Sequence, residues 1–126
     1  MKALSRIAFG TAVLLFASPP SSAQEEWAMW GIGVHTCAEF AEHYQHGPND
    51  VEEMYFLWAQ GYMSATNIFR ATFLKMPWID YKAVPADVQK KYLRTFCERN
   101  PSKMYMDAVA DLIHSMGENM SKKKEN

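Results

Sequence analysis

The residues that could do chemistry in this 126-residue chain are few. Glu39, His43 and His46 recur at three- and four-residue steps, which puts them near one face of a helix and suits a divalent metal. No fourth ligand stands out, and histidines in the last turn of a helix also interact well with its dipole while solvated. Met104-x-Met106 offers two thioethers, soft ligands of the kind that hold Cu(I). On a helix those two side chains point to different faces, and methionine is a common core filler. Asp107 and Asp111 are one turn apart and read as the polar face of a helix rather than a catalytic pair. A G-x-S-x-G elbow, a phosphate-cradling glycine loop and an H-E-x-x-H pair are all missing from the sequence, so no enzyme activity, metal or cofactor is expected.

Cys37 and Cys97 are the only cysteines. Their meaning depends on the compartment, and the first 23 residues speak to that. Lys2 and Arg6 precede an apolar run, Ile7–Ala17, then Pro19-Pro20 and the small residues Ser21-Ser22-Ala23. This is the pattern of a secretory signal peptide, Met1–Ala23, cleaved before Gln24. The run is too short to span a bilayer, which takes about 20 residues, so no stable membrane insertion is expected. Periplasm or exterior is the expected address. There, two cysteines in a small domain read as one disulfide. The closed loop would hold about 60 residues and contribute roughly 4 kcal/mol in the chain-entropy model.

Two of the thirteen Lys and Arg fall in the leader, leaving eleven against fourteen Asp and Glu. Such a balance gives no electrostatic footprint for nucleic acid. Below about pH 3 the same domain would carry roughly +16, because its carboxylates are protonated. The basic run Lys122-Lys123-Lys124 reads as part of a solvated tail.

Aromatic residues are the densest feature. Tyr55, Phe56, Leu57 and Trp58 are consecutive, so they cannot all face one way on a helix. Part of this cluster must meet another helix, a connector or a partner. Tyr55, Phe56 and Trp58 are therefore candidate protein-binding residues, since Met- and aromatic-rich surface is common where proteins dock.

Four helices must position these groups. Thr36-Cys37-Ala38-Glu39 has the form of a capping box, opening a helix that runs to about Gln45 before Gly47-Pro48. Asn49 or Asp50 caps a second helix that reaches about Phe73. Its apolar stripe is Met54, Trp58, Gly61, Tyr62, Ala65, Ile68 and Phe69, with Gln60, Ser64 and Asn67 opposite. Gly61 inside that stripe implies close approach of another helix or a bulky ring. Leu74–Val84 reads as an ordered connector. A third helix starts near Pro85, with Val88, Tyr92, Leu93 and Phe96 inward. A fourth carries Tyr105, Ala108, Val109, Leu112, Ile113 and Met116. The expected architecture is all-α: a four-helix domain over residues 24–119 with one disulfide, then a disordered tail at 120–126.

Thr36-Cys37-Ala38-Glu39-Phe40, with Phe96-Cys97-Glu98-Arg99-Asn100-Pro101 and Ala108-Val109, resembles the HdeA/HdeB family. That resemblance implies a small helical periplasmic protein with one disulfide, acting as an acid-stress chaperone that holds client proteins through apolar surface. Gly61-Tyr62 and the Cys97–Pro101 spacing are also similar to Tai-type immunity proteins of type VI secretion. That resemblance implies binding and neutralising a cognate toxin. A periplasmic metal-binding protein using His43 and His46 or Met104 and Met106 is a third reading. A homodimer is one assembly open to such a domain.

Overall fold

The computed structural model describes residues 31–125, with side chains to Asn119. The expected signal peptide, and Trp27 and Trp30, lie outside the described residues. Four helices follow a short 3-10 turn at Ile32–Val34: α1 (Cys37–His46), α2 (Val51–Thr72), α3 (Ala86–Arg99) and α4 (Tyr105–Glu125). The all-α expectation holds, with no strand among the described residues.

Helix α1 starts where its capping box dictates. The Glu39 amide donates to the Thr36 hydroxyl oxygen (3.2 Å), and the Thr36 amide donates to the Glu39 carboxylate (2.6 Å). The next orphan amides of α1 find partners on the α3–α4 turn. Cys37 N–H donates to the Lys103 carbonyl and Ala38 N–H to that of Pro101, at 2.7 and 3.0 Å, while Tyr105 N–H returns to the His35 carbonyl. The Cys37–Cys97 disulfide crosses at the same place, with Cα atoms 4.7 Å apart. It pins the first residue of α1 to the end of α3, as expected.

Asp50 stands at the N-cap position of α2, but its side chain makes no capping bond. The helix is tied instead by ion pairs to α3, Glu53 with Lys90 and Glu52 with Arg94. The core lies among α1, α2, α3 and α4. Phe40, Tyr55 and Tyr105 form its aromatic centre, with ring centroids 4.7–4.9 Å apart. All six inward positions expected of α4 are buried.

Three expectations fail. The residues of α2 that enter the core are Tyr55, Phe56, Ala59, Met63 and Asn67. The expected stripe lies elsewhere: Trp58 and Tyr62 pack at the core's edge, while Met54, Gly61, Ala65, Ile68 and Phe69 are exposed. The helix is apolar on two sides, and periodicity finds both stripes without saying which meets the domain. On α3, Gln89 is buried and Val88 is exposed, because Gln89 can satisfy carbonyls of the connector. Helix α4 also continues past Gly117 to Glu125, where loss of helix was expected; Glu118 and the lysines at 122–124 are residues of good helix propensity.

The reason given for Gly61 fails with the stripe. A methyl group built there meets nothing within 4 Å. Glycine in an exposed helix interior costs about 1 kcal/mol relative to alanine. Gly61→Ala is therefore expected to raise stability by about 1 kcal/mol, read by urea unfolding. A loss of stability would mean that something packs at this position. Gly33 is the opposite case. Its built Cβ would lie 2.0 Å from the Trp58 ring, so the N-terminal turn passes directly beneath the indole and only glycine fits there.

Candidate docking surface

The connector between α2 and α3 is held by two buried side-chain amides. Asn67 on α2 donates to the Ile79 carbonyl (2.9 Å) and accepts from the Ile79 amide (3.0 Å). Gln89 on α3 donates to the carbonyls of Tyr81 (2.8 Å) and Val84 (2.7 Å). Ile79 itself is buried beside α4. Polar bonds at the end of α2 fold the chain back: Met76 N–H donates to the Arg70 carbonyl, and Arg70 donates to that of Pro77. Lys75 takes a left-handed conformation, with φ of 53°, as helix C-terminal turns often require.

This fixed connector extends an apolar surface that begins on the outer face of α2. Leu57 and Ile68 sit on that face at 58% and 59% exposure. Met54, Phe69 and Phe73 flank them, and Leu74, Met76 and Trp78 follow on the connector, all exposed. The Phe69 and Phe73 rings pack together at 5.3 Å, and Trp78 is 65% exposed. Each large aromatic carries about 150–250 Å² of side-chain surface. Phe69, Phe73 and Trp78 alone therefore present several hundred Å², the size at which an apolar patch on a monomer is often functional. Gly61 leaves a shallow gap in the middle of the stripe.

The candidate contact residues fall otherwise than expected. Tyr55 and Phe56 are 2% exposed, so in the folded domain they are core rather than surface. Trp58 is half-buried, stacked on Tyr62 at 5.5 Å. The exposed members of this region are Leu57 from the same aromatic run and residues one to four turns later. Cys37 and Cys97 are bridged and buried.

The other chemical candidates are used structurally. His43 Nδ1 lies 2.7 Å from the Tyr55 hydroxyl, whereas His46 pairs weakly with Glu42 at 3.8 Å; the two histidines do not converge. Among the described residues, no three His, Cys, Asp or Glu side chains gather in a way that could hold a metal. Met104 precedes α4 and is exposed. Asp107 accepts from the Met104 amide at 2.9 Å, and Asp111 accepts from the Tyr92 hydroxyl at 2.6 Å. His35, which sequence reasoning passed over, approaches Tyr55 from the other side: its Nδ1 is 2.6 Å from the same hydroxyl. Burial pushes the Tyr55 hydroxyl up to about 12, helped by the Glu39 carboxylate. Tyr105 is pushed up as well, mainly by burial.

Compared with known proteins, the chain matches no family model, no curated protein and no solved structure. Among the described residues, no helix is long and apolar enough to cross a membrane.

Proposed function

We propose that this chain is an exported, non-enzymatic protein-binding domain of HdeA-like type that acts as a holdase under acid stress. Other periplasmic proteins would dock on the outer face of α2 and the connector. The exposed apolar surface running from Met54 to Trp78 carries this reading. Its methionines and aromatics suit varied clients, because such side chains re-pack easily. Acid chemistry adds to it. The amide and then the hydroxyl of Thr36 hold the Glu39 carboxyl below its ordinary range. A lowered carboxyl stabilises the fold above its unfolded value, and that contribution is lost as pH falls through its folded value. The α1 cap therefore weakens in acid, while self-repulsion grows and the disulfide limits expansion.

The test is suppression of client aggregation at about pH 2–3 by the oxidised protein and by a Leu57→Lys/Ile68→Lys variant. Both positions are more than half exposed, so the thermal midpoint should stay nearly constant. Client protection should drop several-fold. Equal protection by the variant would move the docking site elsewhere, and no protection by the wild type would end the holdase reading.

One observation favours a second reading. The surface is open in the folded state, so a folded partner can be bound at neutral pH, as the similarity to Tai-type immunity proteins implies. A neutral-pH pull-down against neighbouring type VI secretion products tests this, and recovery of nothing counts against it.

A further inference from the structure

We propose that His35, Tyr55 and His43 form a proton-limited clamp that joins the N-terminal turn and α1 to α2, keeps both its bonds with one added proton, and opens with the second. This inference rests on hydrogen-bond geometry and does not depend on the docking reading. Two imidazole Nδ1 atoms, from His35 and His43, lie 2.6 and 2.7 Å from one tyrosine oxygen. That hydroxyl has a single hydrogen to donate. With both rings neutral, it donates to one Nδ1 and accepts from the other ring's Nδ1–H. The two histidines must therefore hold opposite tautomers.

A first proton goes to the free Nε2 of the ring that already donates through Nδ1. Neither bond is lost, and one becomes charge-assisted. A second proton must go to the remaining Nδ1. That proton ends the bond which the tyrosine hydroxyl donates, and both rings would then have to share one oxygen as their acceptor. Two cations would also stand with ring centroids 5.4 Å apart.

One carboxylate faces the clamp. From α1, the Glu39 carboxylate acts on His35, His43 and Tyr55. From α2, Glu52 is paired with Arg94 of α3 and acts on Tyr105 instead. From α4, the uncharged Tyr105 ring packs on Tyr55, with centroids 4.9 Å apart. Opening the clamp would free the turn that passes beneath Trp58.

Long-range nitrogen–proton NMR of the histidine rings in the full chain tests this from about pH 8 to about pH 5. Opposite tautomers are expected at the upper end. The two rings should take up protons in steps separated by at least about tenfold in acid concentration, with the Trp58 indole signal moving in the second step. Tyr55→Phe should let both rings titrate together. Identical tautomers and a single shared step in the wild type would overturn the clamp. So would a separation unchanged in Tyr55→Phe, which would assign it to charge repulsion alone. If that variant does not fold, the wild-type tautomers decide.

Discussion

A Cys37→Ala/Cys97→Ala variant should melt roughly 15–30 °C below the oxidised wild type, from about 4 kcal/mol lost at about 4–8 °C per kcal/mol. The bridge spans 60 positions, and its loop contains α1, α2, the connector and most of α3. Without it, the unfolded chain regains the freedom that closure of this loop removes. Both cysteines are essentially buried, at 0% and 2% exposure, and alanine avoids placing a hydroxyl where no partner exists. Thermal melts of the oxidised protein, the reduced protein and the variant are the measurement. Reduction alone should reproduce most of the drop. A difference under about 5 °C would mean that the backbone bonds of Cys37, Ala38 and Tyr105 hold this joint by themselves.

Asn67→Leu is the second large effect, with an expected cost of about 2–4 kcal/mol. The substitution is close in size, but it leaves the Ile79 amide and carbonyl without their partner. Each unpaired buried group costs about 1–3 kcal/mol. Asn67 is 8% exposed and Ile79 is 4% exposed, which limits replacement by solvent. Urea unfolding gives the loss, and hydrogen exchange at the Ile79 amide gives its location. Exchange there should accelerate well beyond the change in global stability, because Gln89 still holds Tyr81 and Val84. A cost below about 0.5 kcal/mol would show that water takes over the role of the amide.

Much of this fold could be read from local signals. The capping box at Thr36, Pro85 before α3 and the stripe of α4 each act over a few residues, and each is found where expected. The cystine follows from having two cysteines and a leader pattern that leads one to expect export. What escaped was orientation. Helix α2 has apolar residues almost all round, so Leu57 and Ile68 look like core by composition, and Asn67 looks like surface. Only the tertiary arrangement decides, and it does so through the connector, whose backbone needs the two amides Asn67 and Gln89. A signal existed in hindsight: an amide side chain one turn from Met63 can pair both the N–H and the C=O of one buried residue, which an ionised carboxylate cannot. The His35–Tyr55–His43 arrangement was hidden differently, since its members are 20 and 12 positions apart and lie on three elements.

The stitching of α1 to the far end of α3 also settles what a protease can do to this chain. Among the described residues, Leu74 to Val84 lies in the longest stretch between α-helices, with one 3-10 turn at Tyr81–Ala83, and Cys37 and Cys97 lie on either side of it. A single cut there yields two fragments that remain one covalent molecule. Each fragment brings two helices to the shared core, and the α1–α4 backbone bonds lie outside the cut. A nick at the patch most exposed to other proteins therefore leaves the molecule assembled, and it shows as two bands only after reduction.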